Sequence, residues 1–136
     1  MAELTTVDQR ATVAEYQAAA RAKTQLERTS EKEQTGVFTG RYATNPINQA
    51  LLPIWISDFV IGSYGSGAVF GDAHDERDFA MAKRYGIPLT VSVVPNDPAE
   101  QAAVLALDQC FTSDGTLVNS GPHTGLSSTD ARRAIT

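Results

Sequence analysis

A mixed α and β fold is predicted by three features of the chain. An alanine-rich, helix-favouring stretch opens it, short β-type runs punctuated by turn residues begin at Gly36, and a strand, loop, helix, strand order runs from Gly67 to Val94. With 136 residues, of which 42% are apolar and 20% charged, the chain has the length and composition of one ordinary domain with a real core.

Thr6 to Gln9 reads T-x-x-Q, the pattern of a capping box, whose side chains satisfy free N–H groups at a helix start. A helix is expected from there to Arg28, with Val13, Tyr16 and Ala20 along one apolar face. The polar run Arg28 to Gln34, RTSEKEQ, reads as a connector, so residues 1–34 are expected to form an N-terminal helix with its connector and residues 35–136 the main body. Strands are expected over Val37 to Tyr42 and, after the Asn45-Pro46 break, over Pro53 to Phe59 with Val60 and Ile61 following. Gly67 to Phe70 reads as a further short strand. Asp75 to Tyr85 reads as a helix ended by Gly86 and Pro88, and Leu89 to Val94 as a strand of small and β-branched residues. Ala99 to Leu107 reads as a short helix or a second connector. Asp114-Gly115 is a hairpin-type turn signal, and Ser127 to Asp130 reads as the cap of a terminal helix.

Composition narrows the function classes. No apolar run approaches the roughly 18 residues that a membrane helix needs, and no basic region followed by an apolar stretch opens the chain, so a cytoplasmic protein without a membrane partner is expected. Cys110 is the only cysteine, which excludes an internal disulfide and a multi-cysteine zinc site; between Leu107 and Phe111 it reads as a packing residue. The formal net charge of −5 argues against tight independent binding of nucleic acid, which rests on a basic face. His74 and His123 are the only histidines, so a site with several histidines cannot be assembled, and neither a Gly-x-Ser-x-Gly elbow nor a P-loop lysine is present.

Chemistry concentrates in Gly62 to Asp78, GSYGSGAVFGDAHDERD. Gly62, Gly65, Gly67 and Gly71 can leave backbone N–H groups open to a ribose, carbonyl or phosphate. Asp72, His74, Asp75, Glu76 and Asp78 then crowd a predicted helix start. Acidic side chains there cap free N–H groups and favour the helix dipole. The same side chains have a functional reading, because Asp75 and Asp78 one turn apart can grip an ammonium group or position a water. Arg77 is expected to hold the loop by pairing with an acid. A divalent metal on Asp72, His74, Asp75 and Asp78, as in a metal-dependent hydrolase, is the competing chemistry.

The run from Thr35 to Leu89 resembles the editing domain of leucyl-tRNA synthetases. It carries, in order, Thr-Gly-x-x-Thr-Gly, Asn-Pro, Pro-Ile-Trp, Tyr-Gly-Ser-Gly-Ala and His-Asp-x-Arg-Asp. Glu3 to Thr29 is similar to the helix that precedes this segment in such enzymes, and Phe111 to Leu126, FTSDGTLVNSGPHTGL, to the later hairpin. The resemblance implies a compact, β-barrel-like sheet with flanking helices, as in class I synthetase editing domains. It also implies hydrolysis of the ester joining a non-cognate amino acid to the 3′ adenosine of leucine tRNA, without a cofactor or catalytic metal. Asp78 would bind the α-amino group and Asp75 would shape the same pocket. Tyr64, Gly65, Ser66 and Gly67 would line the adenosine end, Phe70 the amino-acid side chain, and His74 would complete the substrate-binding set.

The sequence departs from the family at two places. The threonine-rich Thr-Thr-Arg-Pro wall belongs before Glu3 and has no counterpart, and the loop Val69 to His74, VFGDAH, is unlike the Met-Ala-Val-Pro-Gly/Ala-His version. The His-Ile-Gly-His-like and Lys-Met-Ser-Lys-Ser-like signatures of aminoacylation are absent. The expectation is therefore half of an editing site that acts with the remainder of a synthetase on the tRNA 3′ end and cannot aminoacylate, with self-association through open strand edges. A non-catalytic domain with the editing fold is the alternative from another class.

Overall fold

The computed structural model describes residues 2–23, 34–46, 48–60 and 66–136. Its contacts form two compact units, Met1–Val69 and Phe70–Thr136, so the opening helix shares a unit with the first strands.

In the first unit, 3-10 turns at Ala2–Leu4 and Val7–Gln9 lead into helix α1, Arg10–Ala22. The expected capping box does not form. Thr6 is extended and makes no side-chain cap; its N–H donates to the Thr39 carbonyl at 2.9 Å and its hydroxyl to the same oxygen at 3.5 Å. A tertiary partner thus takes the group that a local cap would have used. Val13 is buried and Tyr16 and Ala20 are half-buried, which is the expected apolar face. The expected continuation of the helix to Arg28, and the connector up to residue 33, lie outside the described residues.

Strand β1, Gly36–Thr44, pairs antiparallel with β2, Leu51–Ser57, around a loop in which the Asn45 N–H donates to the Ala50 carbonyl and the Gln49 N–H to that of Asn45. The ladder slips between Phe38 and Tyr42. Thr39 sits there fully buried, its hydroxyl donating to the Ile54 carbonyl at 2.8 Å. Gly40 follows with φ +82, and a Cβ on it would stand 2.1 Å from the Thr6 hydroxyl. The second Thr-Gly pair of the sequence pattern is therefore a bulge, with the hydroxyl bridging the slip and the glycine admitting Thr6.

β2 ends at Ser57, two residues before the expected Phe59, because the chain turns Asp58 inward. The buried Asp58 carboxylate accepts from Lys23 Nζ at 3.0 Å, and its N–H donates at 3.0 Å to the Tyr16 hydroxyl, which itself donates to the Thr35 carbonyl at 2.9 Å. Tyr16 thus ties α1 to the residue before β1 and the residue after β2. Tyr16→Phe is expected to cost about 1–3 kcal/mol, since the bond to the Thr35 carbonyl and the bond from the Asp58 N–H are both lost; the urea midpoint of the two proteins measures this.

In the second unit, helix α2 spans Glu76–Tyr85, strand β3 Val93–Val94, helix α3 Pro98–Leu105, strand β4 Thr116–Leu117 and helix α4 Ser128–Ile135, with a 3-10 turn at Gly121–His123. Gly67 to Phe70 is irregular rather than a strand. The strand expected over Leu89 to Val94 shrinks to Val93–Val94, paired antiparallel with β4. Side chains have taken the backbone groups that precede it: the Val91 carbonyl accepts from Asn119 Nδ2 at 2.9 Å and the Ser92 N–H donates to His74 at 3.0 Å. The segment left open between helix and connector is α3, capped by Asp97 with Pro98 in its first turn. Asp114-Gly115 is not a hairpin tip, because β4 pairs back to β3 across α3. Val91, Val94 and Val104 form the buried centre, with Leu107, Phe111 and Val118 packed around it.

The described strands make two separate two-stranded ladders and no closed barrel. Among the described residues, no helix is long and apolar enough to cross a membrane.

Candidate functional site

The acidic cluster folds into one tightly bonded turn ahead of α2. Asp75 is the N-cap, its Oδ1 accepting from the N–H groups of Arg77 at 2.8 Å and Asp78 at 3.1 Å. Asp72 Oδ1 accepts from the His74 N–H at 2.6 Å, the two-residue loop that aspartate forms readily. Asp78, in the first turn of α2, reaches back so that Oδ2 accepts the Asp72 N–H at 3.1 Å. Its other oxygen has no protein partner among the described residues. A Cβ at Gly71 would stand 3.6 Å from Asp78 Oδ2, so the glycine keeps that side of the carboxylate uncovered.

Burial raises the pKa of Asp78 above the usual carboxylate range; the Asp72 N–H opposes this, and the charges of Asp75 and Asp72 add to the rise. Among the described residues, no positive charge compensates the half-buried carboxylate. A cation brought to its other oxygen would offset the charges of Asp75 and Asp72.

The structure gives His74 a different setting from the substrate contact expected of it. Nδ1 lies 2.8 Å from the Phe111 carbonyl, while Nε2 accepts the N–H groups of Ser92 at 3.0 Å and Val93 at 3.1 Å. Both ring nitrogens face the chain's own backbone. Arg77 is exposed and makes no ion pair among the described residues, so the pairing expected to hold the loop is replaced by backbone bonds to Asp72 and Asp75. Phe70 is 70% exposed and open to a ligand side chain. Ser66 is exposed and Gly67 has φ +73, both in the first unit, whereas Gly62, Tyr64 and Gly65 lie outside the described residues.

Cys110 donates to the Ala73 carbonyl at 3.5 Å, and burial followed by the charges of Glu76, Asp75 and Asp72 pushes its thiol pKa up. That is the opposite of what a thiolate nucleophile needs. Among the described residues, no three His, Cys, Asp or Glu side chains gather around one point as metal ligands would. Sequence reasoning missed the part played by Asp72, although its Asp-x-His spacing is the signal of a side chain closing on a backbone N–H two residues on. It also missed the partners of His74, which lie 18 to 37 residues away and leave no local trace.

The family model described as leucyl-tRNA synthetase, editing domain, matches residues 1–136. The chain is 49% identical to leucine–tRNA ligase of Treponema pallidum over 97% of its length, and 46% identical to that of Roseiflexus castenholzii over 93%. It spans 16% and 14% of these two relatives. A crystal structure of a ternary complex of LeuRS, tRNA and LeuAMS from Agrobacterium radiobacter superposes on 74% of the chain with a TM-score of 0.56 and 30% identity, over 13% of that protein.

Proposed function

We propose that this chain, which belongs to the leucyl-tRNA synthetase editing-domain family, supplies the acidic half of a site that hydrolyses the ester between a non-cognate amino acid and leucine tRNA. The observation that carries this reading is Asp78: half-buried, fixed through one oxygen, and with neither a positive charge nor a partner for its other oxygen among the described residues. An aminoacyl ester carries its α-ammonium beside the scissile carbonyl. Binding that ammonium at Asp78 fixes the carbonyl in space, and water attack on a fixed ester avoids much of the entropy of bringing the reactants together.

Asp75 is a pocket wall in this account, since one of its oxygens is committed to capping α2 and only the other is available to shape the approach. Phe70 contacts the misattached side chain, and Tyr64 to Gly67 meet the adenosine. The water oxygen adds to the carbonyl carbon as the C=O pair moves onto oxygen; collapse then breaks the bond to the ribose oxygen, which takes up the proton that water gives up, leaving a free amino acid and a tRNA hydroxyl. The finer architecture proposed here is a larger, barrel-like sheet completed by the remainder of a synthetase, with the tRNA 3′ end entering between them. Cytoplasmic placement follows from that role.

The test is hydrolysis of isoleucyl-tRNA(Leu), with leucyl-tRNA(Leu) as control and with and without EDTA. The chain is assayed alone and grafted into a leucyl-tRNA synthetase in place of its own segment. Chelator-resistant hydrolysis of the isoleucyl ester in the graft, with the leucyl ester spared, is the expected result. No hydrolysis in either setting would leave a domain that keeps the editing fold without the activity, and loss on chelation would favour metal-dependent hydrolysis.

A further inference from the structure

We propose that His74 is a positioning residue, whose neutral imidazole clamps the Asp72–Asp78 turn to two distant backbone segments and thereby sets the place of the Asp78 carboxylate. This inference rests on the editing reading for its activity arm alone. Nε2 receives two backbone N–H groups, from Ser92 and Val93, so it must present a lone pair. Nδ1, 2.8 Å from the Phe111 carbonyl, must then carry the proton. A single tautomer satisfies all three contacts, and a doubly protonated ring satisfies only one.

The clamp reaches Asp78 by two links. The His74 N–H is bound by Asp72 Oδ1, and the Asp72 N–H is bound by Asp78 Oδ2, so the imidazole, the Asp72 loop and the carboxylate move together. Cys110 adds a weaker tie through the Ala73 carbonyl. The segments that the ring holds are themselves anchored: Val93 lies in β3, paired with β4, and Phe111 packs on the cluster of Val91, Val94 and Val104. The ring therefore references the substrate-facing acid to the core of its unit, a job that a hydrophobic side chain of similar size cannot do. Glutamine retains one donor and one acceptor at the end of its chain and can restore part of the clamp.

The first measurement is spectroscopic and independent of activity. Ring nitrogen shifts of the histidine-labelled chain at neutral pH are expected to show His74 protonated at Nδ1 and unprotonated at Nε2. A proton on Nε2, or a charged ring, overturns the proposal even if no variant folds. The second is the titration of the Asp78 carboxyl carbon, whose midpoint in His74→Phe is expected to differ from the parent's, because burial and the Asp72 N–H both act on that carboxylate, with His74→Gln between that variant and the parent. Tyr16→Phe, which weakens the other compact unit, should leave it unmoved. An Asp78 carbon that titrates alike in folded His74→Phe and in the parent overturns the proposal. In the grafted synthetase, His74→Phe is expected to lose about a hundredfold in kcat for isoleucyl-tRNA(Leu) hydrolysis with a smaller change in KM, and His74→Gln to regain about tenfold of it. If the parent graft shows no hydrolysis, the editing reading fails while the two spectroscopic readouts still decide the role of His74.

Discussion

Asp78→Asn is expected to lower hydrolysis of isoleucyl-tRNA(Leu) by about a hundredfold or more while leaving the protein as stable as before, or more so, at neutral pH. The activity loss follows from removing the charge that meets the α-ammonium; a charge-assisted hydrogen bond of this kind contributes about 1.5–3 kcal/mol, and the misplacement of an unanchored ester adds to it. The stability arm runs the other way. Burial raises the Asp78 pKa in the folded protein, so the folded state holds that proton more tightly than the unfolded chain does. The stabilisation associated with the protonated acid is present at low pH and is lost as pH rises through the folded value. At neutral pH the ionised group is a net cost, which asparagine removes while its amide oxygen can still accept the Asp72 N–H. Deacylation rates and thermal midpoints on the same two proteins check both arms. A variant that is inactive because it is unfolded would show a lower midpoint, and an active variant would remove Asp78 from its assigned role.

Gly115→Ala is expected to destabilise the second unit by about 3 kcal/mol or more, the upper end of what overpacking costs. A Cβ at that position would stand 2.2 Å from the Val94 carbonyl oxygen, 2.9 Å from its carbon and 3.0 Å from the Phe111 ring. Those obstacles are backbone and a core side chain, so relief requires β3 and β4 to separate. The same glycine exchanges bonds with Ser128, its N–H donating to Oγ at 3.0 Å and its carbonyl accepting the Ser128 N–H at 2.9 Å, which docks the start of α4. One added methyl therefore opposes the short ladder, the core and the last helix together. Because the Val93 N–H is one of the two groups held by His74, the site should loosen as well. The urea midpoint measures the loss; a change under about 1 kcal/mol would mean that the strands have room to yield.

The features legible in the sequence are those whose partners are close along the chain. Both ends of α2 were readable, since Asp75 caps it and Gly86 terminates it, and so was the start of α4 at Ser127. The acidic cluster was likewise readable as a place where chemistry concentrates, because its carboxylates lie within a few residues of one another. What failed was decided at a distance. Thr6 exchanged its local cap for the Thr39 carbonyl 33 residues away, and the strand before Val93 gave its backbone groups to Asn119 and His74. Asp114-Gly115 carries a turn signature, yet the glycine is there to admit the Val94 carbonyl. His74 was legible as a member of the cluster but not as its clamp, since nothing local points to Phe111 or Ser92.

The central claim is that Asp78 binds the α-ammonium of the misattached amino acid. It is tested most directly by crossing Asp78→Asn with a substrate whose ammonium has been removed, N-acetyl-isoleucyl-tRNA(Leu), in the grafted synthetase. The account predicts that N-acetylation slows the parent about as much as Asp78→Asn slows hydrolysis of the unmodified ester, and that the two changes together cost little more than either alone. Losses that simply multiply would contradict it, because carboxylate and ammonium would then act without touching each other.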